Sequence, residues 1–403
     1  MFCDKNSGQV DDYMKYYRVE ADIDLSAIRK NIEIMRGYLP KGKKLLAVIK
    51  ANAYGHGAVT VANALDDLAD YYGVACIDEA IELRRAGIVK PILILGMTDT
   101  SLFEDIVKYD IIQTIFTLEQ AKALSLTAVE LGKTANLHIK LDTGMNRIGF
   151  LCTKDSINEI VAISKLPNLN MEGIFTHYYK ADEKDKTMAY RQLDLFTGTI
   201  TTLEQMGIQF EIRHISNSAG IMEMPNDTYD MVRSGISTYG LYPSEDINKK
   251  ACVLYPAMQL KSHIIHVKNV KKGETIGYGG TYTLKEDKVI ATVGVGYADG
   301  YPRALSNQGR MLVHGCYVPI VGRVCMDQTM IDVSDIIDPE VGDEVVLVGT
   351  QGENSIFVEE LAAMSASFNY EFVCNVNKRV PRVFFEDGKI VSVRNYLTDV
   401  DIY

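Results

Sequence analysis

The stretch that decides the fold lies at residues 45–57 and reads LLAVIKANAYGHG. Its first five residues are apolar, which is typical of a strand buried on both faces of a parallel sheet. The strand ends at Lys50, and a turn-prone segment with Gly55 and Gly57 follows. A lysine at the buried end of a strand is poorly solvated, so we expect its pKa to be lowered and its amine to be a better nucleophile.

Strand-like runs alternate with helical stretches from here to about residue 240. The predicted strands are 45–50, 73–77, 91–95, 111–115, 136–141, 171–177, 211–216 and roughly 230–240. Helical patterns lie between them, for example at 78–86, 118–132 and 188–206. Eight such alternations are the number in a parallel (β/α)8 barrel, so the sequence predicts a TIM-like α/β barrel.

The character of the sequence changes after about residue 250. Runs become short, β-branched and separated by glycine turns, which indicates a second, mostly β domain. A chain of 403 residues is also long for a single core. We therefore predict an N-terminal tail or edge strand at residues 1–18, the barrel at 19–250 and a β-rich C-terminal domain at 251–403.

Composition restricts the class of protein. The net charge of −11 argues against a nucleic-acid partner, because phosphate binding needs a basic face. The seven cysteines include no CxxC pair, so the sequence predicts neither a zinc site nor a disulfide framework, and no other metal site. No signal-peptide pattern and no run of about 20 apolar residues is present, so we expect a cytoplasmic protein without a membrane partner.

Polar residues collect where the predicted strands end, which is where barrels of this kind place their active sites. These residues are Lys50, Tyr54, Lys140, Asp142, Arg147, His177, Asn217, Ser218, Arg233 and Ser234. Each has a structural alternative: Lys50 could extend its amine to solvent, Arg147 could cap a helix, and His177 could be a core histidine. Their convergence favours a catalytic site. In the β domain Tyr278 lies in a glycine turn. It could act as a general acid/base or be an ordinary surface tyrosine, and the sequence leaves both interpretations open.

Several motifs together resemble those of the bacterial alanine racemases. They are AVIKANAYGHG (47–57), KLDTGMNRIG (140–149), TH (176–177), NSA (217–219), RSGI (233–236), GYG (277–279), GYADG (296–300), VGRVCMDQ (321–328) and RVPR (379–382). The resemblance runs in order from about residue 18 nearly to the end of the chain. It implies a pyridoxal-phosphate (PLP) enzyme with a barrel and a β domain, working as a head-to-tail homodimer.

The resemblance also implies roles for single residues. Lys50 would carry the cofactor and act as one base, and Tyr278 of the partner subunit would serve the opposite face of the substrate. The further cofactor contacts are Tyr54, His177, Asn217, Ser218, Arg233, Gly235 and Ile236. The substrate contacts are Arg147, Met326, Tyr297 and Asp327. Lys140 matches a position that is carbamylated in many members of the family.

Three departures from the family pattern concern the pocket. Lys378 stands where a phosphate-side tyrosine is usual, and we expect it to neutralise phosphate as a point charge. Ser234 replaces a usual proline, and residues 178–180 read YYK where smaller residues are usual. These departures leave the PLP chemistry intact and bear on the choice of substrate.

The sequence thus predicts an amino-acid racemase that interconverts L- and D-alanine and supplies D-alanine for peptidoglycan. A serine or broad-specificity racemase of the same family is the nearest alternative. A related barrel decarboxylase fits less well, since such enzymes pair the pyridine nitrogen with a carboxylate where Arg233 stands here. A non-catalytic PLP-binding protein is the alternative from another class, and the β domain with Tyr278 argues against it.

Overall fold

The computed structural model describes residues 17–399 and divides the chain into two units. The barrel unit comprises Ala27–Ala53 and Ala58–Pro256. The β unit comprises the described residues up to Ser26, the short segment Tyr54–Gly57 and the described residues from Ala257 onward. Its first strand, β1, spans Val19–Asp24. The tail or edge strand predicted at residues 1–18 lies almost wholly outside the described residues.

Within the described residues, eight parallel strands form the sheet of the barrel unit, in the order β10-β2-β3-β4-β5-β6-β8-β9. The strands, with the short β7 that pairs with β6, are β2 (Lys44–Val48), β3 (Tyr71–Val74), β4 (Ile92–Ile94), β5 (Ile112–Ile115), β6 (Ala135–Asp142), β7 (Phe150–Leu151), β8 (Leu169–Phe175), β9 (Ile212–His214) and β10 (Met231–Ser234). Backbone bonds from Asp230 N to Arg213 O (2.9 Å) and from Arg233 N to Ser216 O (3.0 Å) bring the last two strands together. The predicted fold class, a TIM-like barrel followed by a mostly β domain, is confirmed.

Helices follow the barrel strands in the order that a parallel sheet requires. They are α1 (Leu25–Gly37), α3 (Ala58–Ala64), α4 (Ile77–Arg85), α5 (Phe103–Lys108), α6 (Leu118–Glu130), α7 (Lys154–Ile163), α8 (Thr187–Gln205) and α9 (Ser218–Glu223), with 3-10 turns at Thr100–Leu102, Pro225–Asp227 and Ile236–Tyr239. The segment α2 (Lys50–Tyr54) is a left-handed turn and not an α-helix, because its residues after Lys50 have positive φ. α6 and α7 are capped by Thr117 and Thr153, whose hydroxyls accept from Gln120 N and Ser156 N. The predicted eighth strand at 230–240 is shorter than expected because the chain turns into a 3-10 helix at Ile236.

The β unit is built on a sheet whose main path runs β16-β15-β18-β11-β1-β20-β21. Its later strands are β11 (Met258–Val270), β12 (Thr275–Ile276), β13 (Tyr282–Thr283), β14 (Lys288–Val293), β15 (Arg310–Val313), β16 (Cys316–Pro319), β17 (Thr329–Asp332), β18 (Glu344–Gln351), β19 (Asn354–Ile356), β20 (Arg382–Glu386) and β21 (Lys389–Arg394). The unit also contains α10 (Val358–Met364), α11 (Asn369–Cys374) and 3-10 turns at Tyr278–Gly280, Tyr297–Asp299 and Arg303–Leu305.

Strand β1 lies in this sheet, whereas the sequence analysis assigns residues 19–24 to the barrel. It pairs antiparallel with β11 and parallel with β20. The local pattern does not distinguish the two sheets, because VEADID alternates apolar and polar residues as the barrel strand β6 (ANLHIKLD) also does. Within residues 17–399, no helix is long and apolar enough to cross a membrane.

Candidate active site at the ends of the barrel strands

Lys50 follows β2 and opens a turn of unusual hand. The next four residues, Ala51 to Tyr54, are not glycine, yet all have positive φ between 51° and 54°. A left-handed conformation costs an L-residue roughly 1–2 kcal/mol, so surrounding contacts must hold it. The Glu79 carboxylate accepts from Ala51 N (2.6 Å) and Ala75 N (2.7 Å). Strain of this kind, imposed next to a lysine, is typical of a functional site.

The Asn52 side chain anchors the other end of the turn. Its Oδ1 accepts from Ala58 N at 2.9 Å, at the start of α3. In the adjoining segment of the β unit, a side chain at Gly55 would place its Cβ 2.1 Å from Val373 O, so only glycine fits there. Tyr54 in the same segment is buried, with its ring centroid 6.0 Å from that of Tyr370.

Arg233 on β10 is the centre of the polar cluster in the barrel. Its Nη1 donates to His214 Nδ1 (2.8 Å), and its Nη2 lies 3.0 Å from His177 Nδ1. Nη2 also donates to the carbonyls of Thr176 (2.8 Å) and Ile215 (3.0 Å). Burial, followed by the charge of Arg147, lowers the pKa of Arg233 to about 9, so it remains a cation at neutral pH.

His177 and His214 are both held neutral. Burial lowers the pKa of each ring well below its ordinary value, and the charge of Arg233 is the next cause. His214 is fully buried and stacks on Phe175, with ring centroids 4.6 Å apart. His214 was not predicted, because the sequence places it inside a strand at 211–216, whereas β9 ends at His214 in the structure.

Lys140 lies within the same cluster, at the end of β6. It is buried, its Nζ donates to Leu141 O (2.5 Å), and it stands 5.4 Å from the centroid of the Phe175 ring. Burial, with the nearby charge of Arg233, lowers the pKa of Lys140 to about 7. A large fraction of this amine is therefore neutral and nucleophilic near pH 7.

The loop after β6 is shaped by Asp142. Its Oδ1 accepts from Gly144 N (2.9 Å) and Asn146 N (3.0 Å), and its Oδ2 accepts from Arg147 N (3.0 Å). The carboxylate thus folds the loop and fixes the backbone of Arg147. The Arg147 side chain itself is exposed, and its charge contributes to the lowered pKa values of Lys140 and His177.

Ser218 and the turn after β10 form a group of small polar residues. Ser218 Oγ accepts from Gly235 N (2.9 Å) and from Ser237 Oγ (2.9 Å). Ser234 Oγ lies 2.9 Å from both Ser237 Oγ and Thr238 Oγ1. Ser234, which stands where the family usually has proline, is therefore part of a buried cluster of hydroxyl groups. Asn217 caps α9 through Gly220 N (3.0 Å) and donates to Tyr178 O (3.1 Å).

The candidates in the β unit are held differently. Tyr278 lies on a 3-10 turn and lines a groove that also contains Cys325, Gln328 and Met330. Its side chain is 71% exposed. Tyr297 is fixed by its backbone, whose N–H donates to Cys325 O (3.0 Å).

Ion pairs organise the segment that contains Met326 and Asp327. Arg379 pairs with Asp299 (2.8 Å) and with Asp327. Arg18 pairs with the same Asp299 carboxylate and donates to Asp327 O (3.2 Å). Asp327, predicted to contact the substrate, thus takes part in an ion pair. The two arginines were missed, since their partners are distant in sequence. Lys378 is exposed.

A family model described as "Alanine racemase, N-terminal domain" matches residues 23–243, and one described as "Alanine racemase, C-terminal domain" matches residues 257–384. The chain belongs to the alanine racemase family. The predicted family and activity class, an enzyme that racemises an amino acid, are thereby confirmed.

Similar proteins extend over nearly the whole chain. An alanine racemase of Clostridium tetani is 47% identical over 381 residues, which are 94% of this chain and 98% of that protein. Among solved structures, an alanine racemase of Clostridium difficile 630 has a TM-score of 0.91 at 42% identity, covering 94% of this chain and 99% of the other. An alanine racemase of Bacillus anthracis with bound L-Ala-P has a TM-score of 0.91 at 37% identity, covering 96% and 100%.

Several residues that the family resemblance singles out lie together in the barrel. Of the residues singled out in the barrel, the structure joins Arg233 directly to His177, and Ser218 directly to Gly235. Lys140 and Arg147 are near enough for their charges to act on His177. The individual site roles remain predictions.

Proposed function

We propose that this chain interconverts L- and D-alanine with PLP carried by Lys50 and with two bases on opposite faces of the substrate. The observation that carries the proposal is the buried Arg233 cluster at the strand ends, with Lys50 on a strained turn in the same barrel. The donor set fits the cofactor: an amine for covalent attachment, a cation for the pyridine nitrogen, and hydroxyl and amide groups for a phosphate.

The barrel residues would divide the work of holding PLP. Arg233 would donate to the pyridine nitrogen, and because it keeps its own proton it would leave that nitrogen unprotonated. Ser218, Gly235, Ile236 and Tyr54 would bind the phosphate, with Lys378 as a nearby positive charge. His177 and Asn217 would line the pocket beside Arg233. When bound, PLP withdraws electrons from the α-carbon of the amino acid and makes its proton removable.

Proton transfer requires two bases because racemisation removes the α-proton from one face and returns it to the other. Lys50 Nζ would serve one face, and Tyr278 of the partner subunit the other. The high exposure of Tyr278 within one chain supports a role toward a second copy, in a head-to-tail homodimer. Arg147, with Met326, Tyr297 and Asp327, would orient the substrate carboxylate.

Carbamylation of Lys140 is part of the proposal. Its lowered pKa, about 7, leaves a neutral amine that can add CO2, forming an N–C bond and releasing an N–H proton to solvent, and the carbamate would place a negative charge near Arg147. Supplying 13C-labelled bicarbonate should give a carbamate signal in 13C NMR that Lys140→Gln abolishes. A spectrum without that signal would reject the modification.

Alanine is the proposed substrate because the matching family and the similar proteins are alanine racemases. Two departures from the family pattern have local roles: Lys180 pairs with Glu183 (3.1 Å), and Ser234 joins the hydroxyl cluster. The D-alanine formed would supply peptidoglycan precursors in the cytoplasm.

The test is to incubate the purified protein with PLP and, separately, with L-alanine, L-serine or L-lysine, and to assay the D-isomers. We expect D-alanine to form fastest. Faster formation of D-serine or D-lysine would show that serine or lysine, and not alanine, is the preferred substrate. If none of the three substrates gave its D-isomer, the proposed function would be rejected.

A further inference from the structure

A line of hydrogen bonds runs from Arg233 through the barrel to Glu172. His214, which accepts from Arg233, places its Nε2 2.9 Å from His138 Nδ1, and His138 Nε2 lies 2.9 Å from Glu172 Oε2. Tyr71 OH donates to Glu172 Oε1 at 3.0 Å. Both histidines are fully buried, and the Glu172 side chain is 15% exposed. The line therefore joins the proposed pyridine-nitrogen donor to a carboxylate on β8.

The chemistry of the two ends fixes the direction of every bond between them. A guanidinium can only donate and a carboxylate can only accept. His138 must therefore donate through Nε2 to Glu172 and accept at Nδ1, and His214 must donate through Nε2 to His138 and accept at Nδ1 from Arg233. Both rings are neutral Nε2–H tautomers with their protons directed toward Glu172.

Two local features of the barrel serve the contact between His138 and Glu172. The register of β6 with β8 passes from Leu137 opposite Met171 to His138 opposite Gly173, so Glu172 is an extra, bulged residue. A bulge redirects a side chain, and here the carboxylate reaches the His138 ring. A Cβ at Gly173 would lie 2.6 Å from atoms of that ring, so the glycine leaves space for it.

The charges around the line are arranged so that Glu172 balances Arg233. Within residues 17–399 the acceptors bonded to Arg233 are two imidazoles and two carbonyls. Lys44 lies over the Tyr71 ring (5.3 Å) as a cation on the Glu172 side. Burial raises the pKa of Glu172, but the hydrogen bonds from His138 and Tyr71 and the charge of Lys44 are among the effects that outweigh it, so the pKa is lowered and the carboxylate is ionised.

We propose that Glu172 and His138 are positioning residues for Arg233, which act through His214 to polarise both rings and to hold the orientation of the guanidinium. The carboxylate polarises the two imidazoles, so that a full negative charge acts on Arg233 from a distance without entering the cofactor site. This inference rests on the proposed function, because it assigns Arg233 to the pyridine nitrogen.

The first test follows ring tautomers by 15N NMR of the histidines in the purified protein, before any assay. The wild type should show two rings protonated at Nε2 alone, and His138→Gln identifies which signals belong to the line. Glu172→Gln keeps the shape and an acceptor oxygen but removes the charge. Because Arg233 still donates to His214, both rings should keep their tautomer, while their 15N shifts should change because no carboxylate polarises them. Glu211→Gln is the matched control, because it removes an equal charge from a residue that pairs with Lys44 (3.5 Å) and lies outside the line.

The second test is a double-mutant cycle on the PLP-loaded enzyme. Glu172→Gln should lower kcat about tenfold, at the low end of the effects of outer partners at metal sites, with KM for alanine nearly unchanged and the visible absorbance band shifted. His138→Gln should do the same, and the double variant should lose no more than either single variant. Additive losses, or equal losses in Glu211→Gln, would overturn the proposal.

A folding failure leaves the proposal testable. If Glu172→Gln does not fold, Gly173→Ala keeps the carboxylate and displaces the His138 ring, and should also change the 15N shifts of both rings. Unchanged 15N shifts of the two rings in a folded Glu172→Gln or Gly173→Ala variant reject the proposal. Absence of racemase activity in the wild type would reject the proposed function alone, since the NMR experiment does not depend on activity.

Discussion

The two units hold their candidate residues in opposite ways. In the barrel, Arg233, Lys140 and Ser218 are no more than 4% exposed and bond to groups of the same chain. In the β unit, Tyr278 and Met326 are 71% and 53% exposed. A buried polar group must find partners within its own fold, while an exposed aromatic or methionine is available to another molecule.

This difference separates two kinds of effect. Changes in the barrel cluster should affect cofactor binding and folding within one chain. Changes at Tyr278 should leave the chain folded and affect only what it contributes to a second copy. Each prediction below tests one side of this contrast.

The largest effect is expected for Lys50→Ala. Loss of the amine removes both the covalent attachment of PLP and one base, so kcat should fall by more than roughly 10³-fold and the visible absorbance of the loaded enzyme should disappear. Racemase assays and absorbance spectra check this, with the exposed Lys154→Ala as the control. A retained visible band would place the cofactor on another lysine.

Tyr278→Phe should have the next largest effect, and it should depend on direction. Without the hydroxyl, α-proton exchange from one enantiomer should fall about 10²–10³-fold while exchange from the other falls far less. Thermal stability should stay within about 1 °C, because the side chain is exposed. Exchange measured by NMR in deuterated water checks the asymmetry, with the exposed Tyr317→Phe as the control. Equal mild losses from both enantiomers would reject two-base chemistry.

Mixing the two variants tests whether the units act across chains. A heterodimer of a Lys50→Ala chain and a Tyr278→Phe chain would contain one intact site, so part of the wild-type activity should return. Proven heterodimers that stay inactive would show that the β unit does not serve a partner.

The contrast also explains what could be predicted from the sequence. The barrel strands were recognisable because a parallel sheet buries both faces, and runs such as 45–49 are apolar throughout. Strand β1 was assigned to the wrong unit because its partners, β11 and β20, are more than 200 residues away in sequence, and no local sequence pattern identifies them. The left-handed turn was also missed, since Ala51–Tyr54 contains no glycine to signal it.

The site was predicted as a list of residues and not as a network. Strand-end position selected Arg233, His177 and Ser218, but not the hydrogen bonds that orient them. His138 and Glu172 gave no signal because their contact depends on a bulge between two strands. For Tyr278 the sequence supplied the residue, which is 71% exposed in the structure, and its role toward a partner chain stays a prediction.

Glu79→Gln should give a moderate effect that is confined to the barrel. One carboxylate accepts from both Ala51 N and Ala75 N, and an amide offers a single acceptor oxygen, so one backbone N–H loses its partner. A cost of about 1–2 kcal/mol at the lysine turn should weaken PLP binding roughly tenfold. Fluorescence titration with PLP checks this, and the exposed Glu82→Gln on the same helix is the control. Unchanged affinity would mean that the turn does not depend on Glu79.

The smallest effect concerns a charged cluster in the β unit that lies apart from Tyr278. Glu20 shares a sheet face with Asp22, Lys261 and Glu344, and burial, followed by the charge of Asp22, raises the pKa of Glu20 to about 7. The folded state therefore binds this proton more tightly than the unfolded state, whose pKa is near 4.5. Between those values the folded chain carries more protons, so stability should fall as pH rises.

Glu20→Gln should reduce that dependence. The glutamine cannot ionise, so the loss in stability between pH 5 and pH 7.5 should be smaller than in the wild type by about 1 kcal/mol, after allowing for solvent screening of a partly exposed group. Calorimetric Tm values at the two pH values measure this difference, and the exposed Glu274→Gln should behave as the wild type. Equal pH dependence in wild type and Glu20→Gln would show that ionisation of Glu20 does not lower the stability of the folded chain.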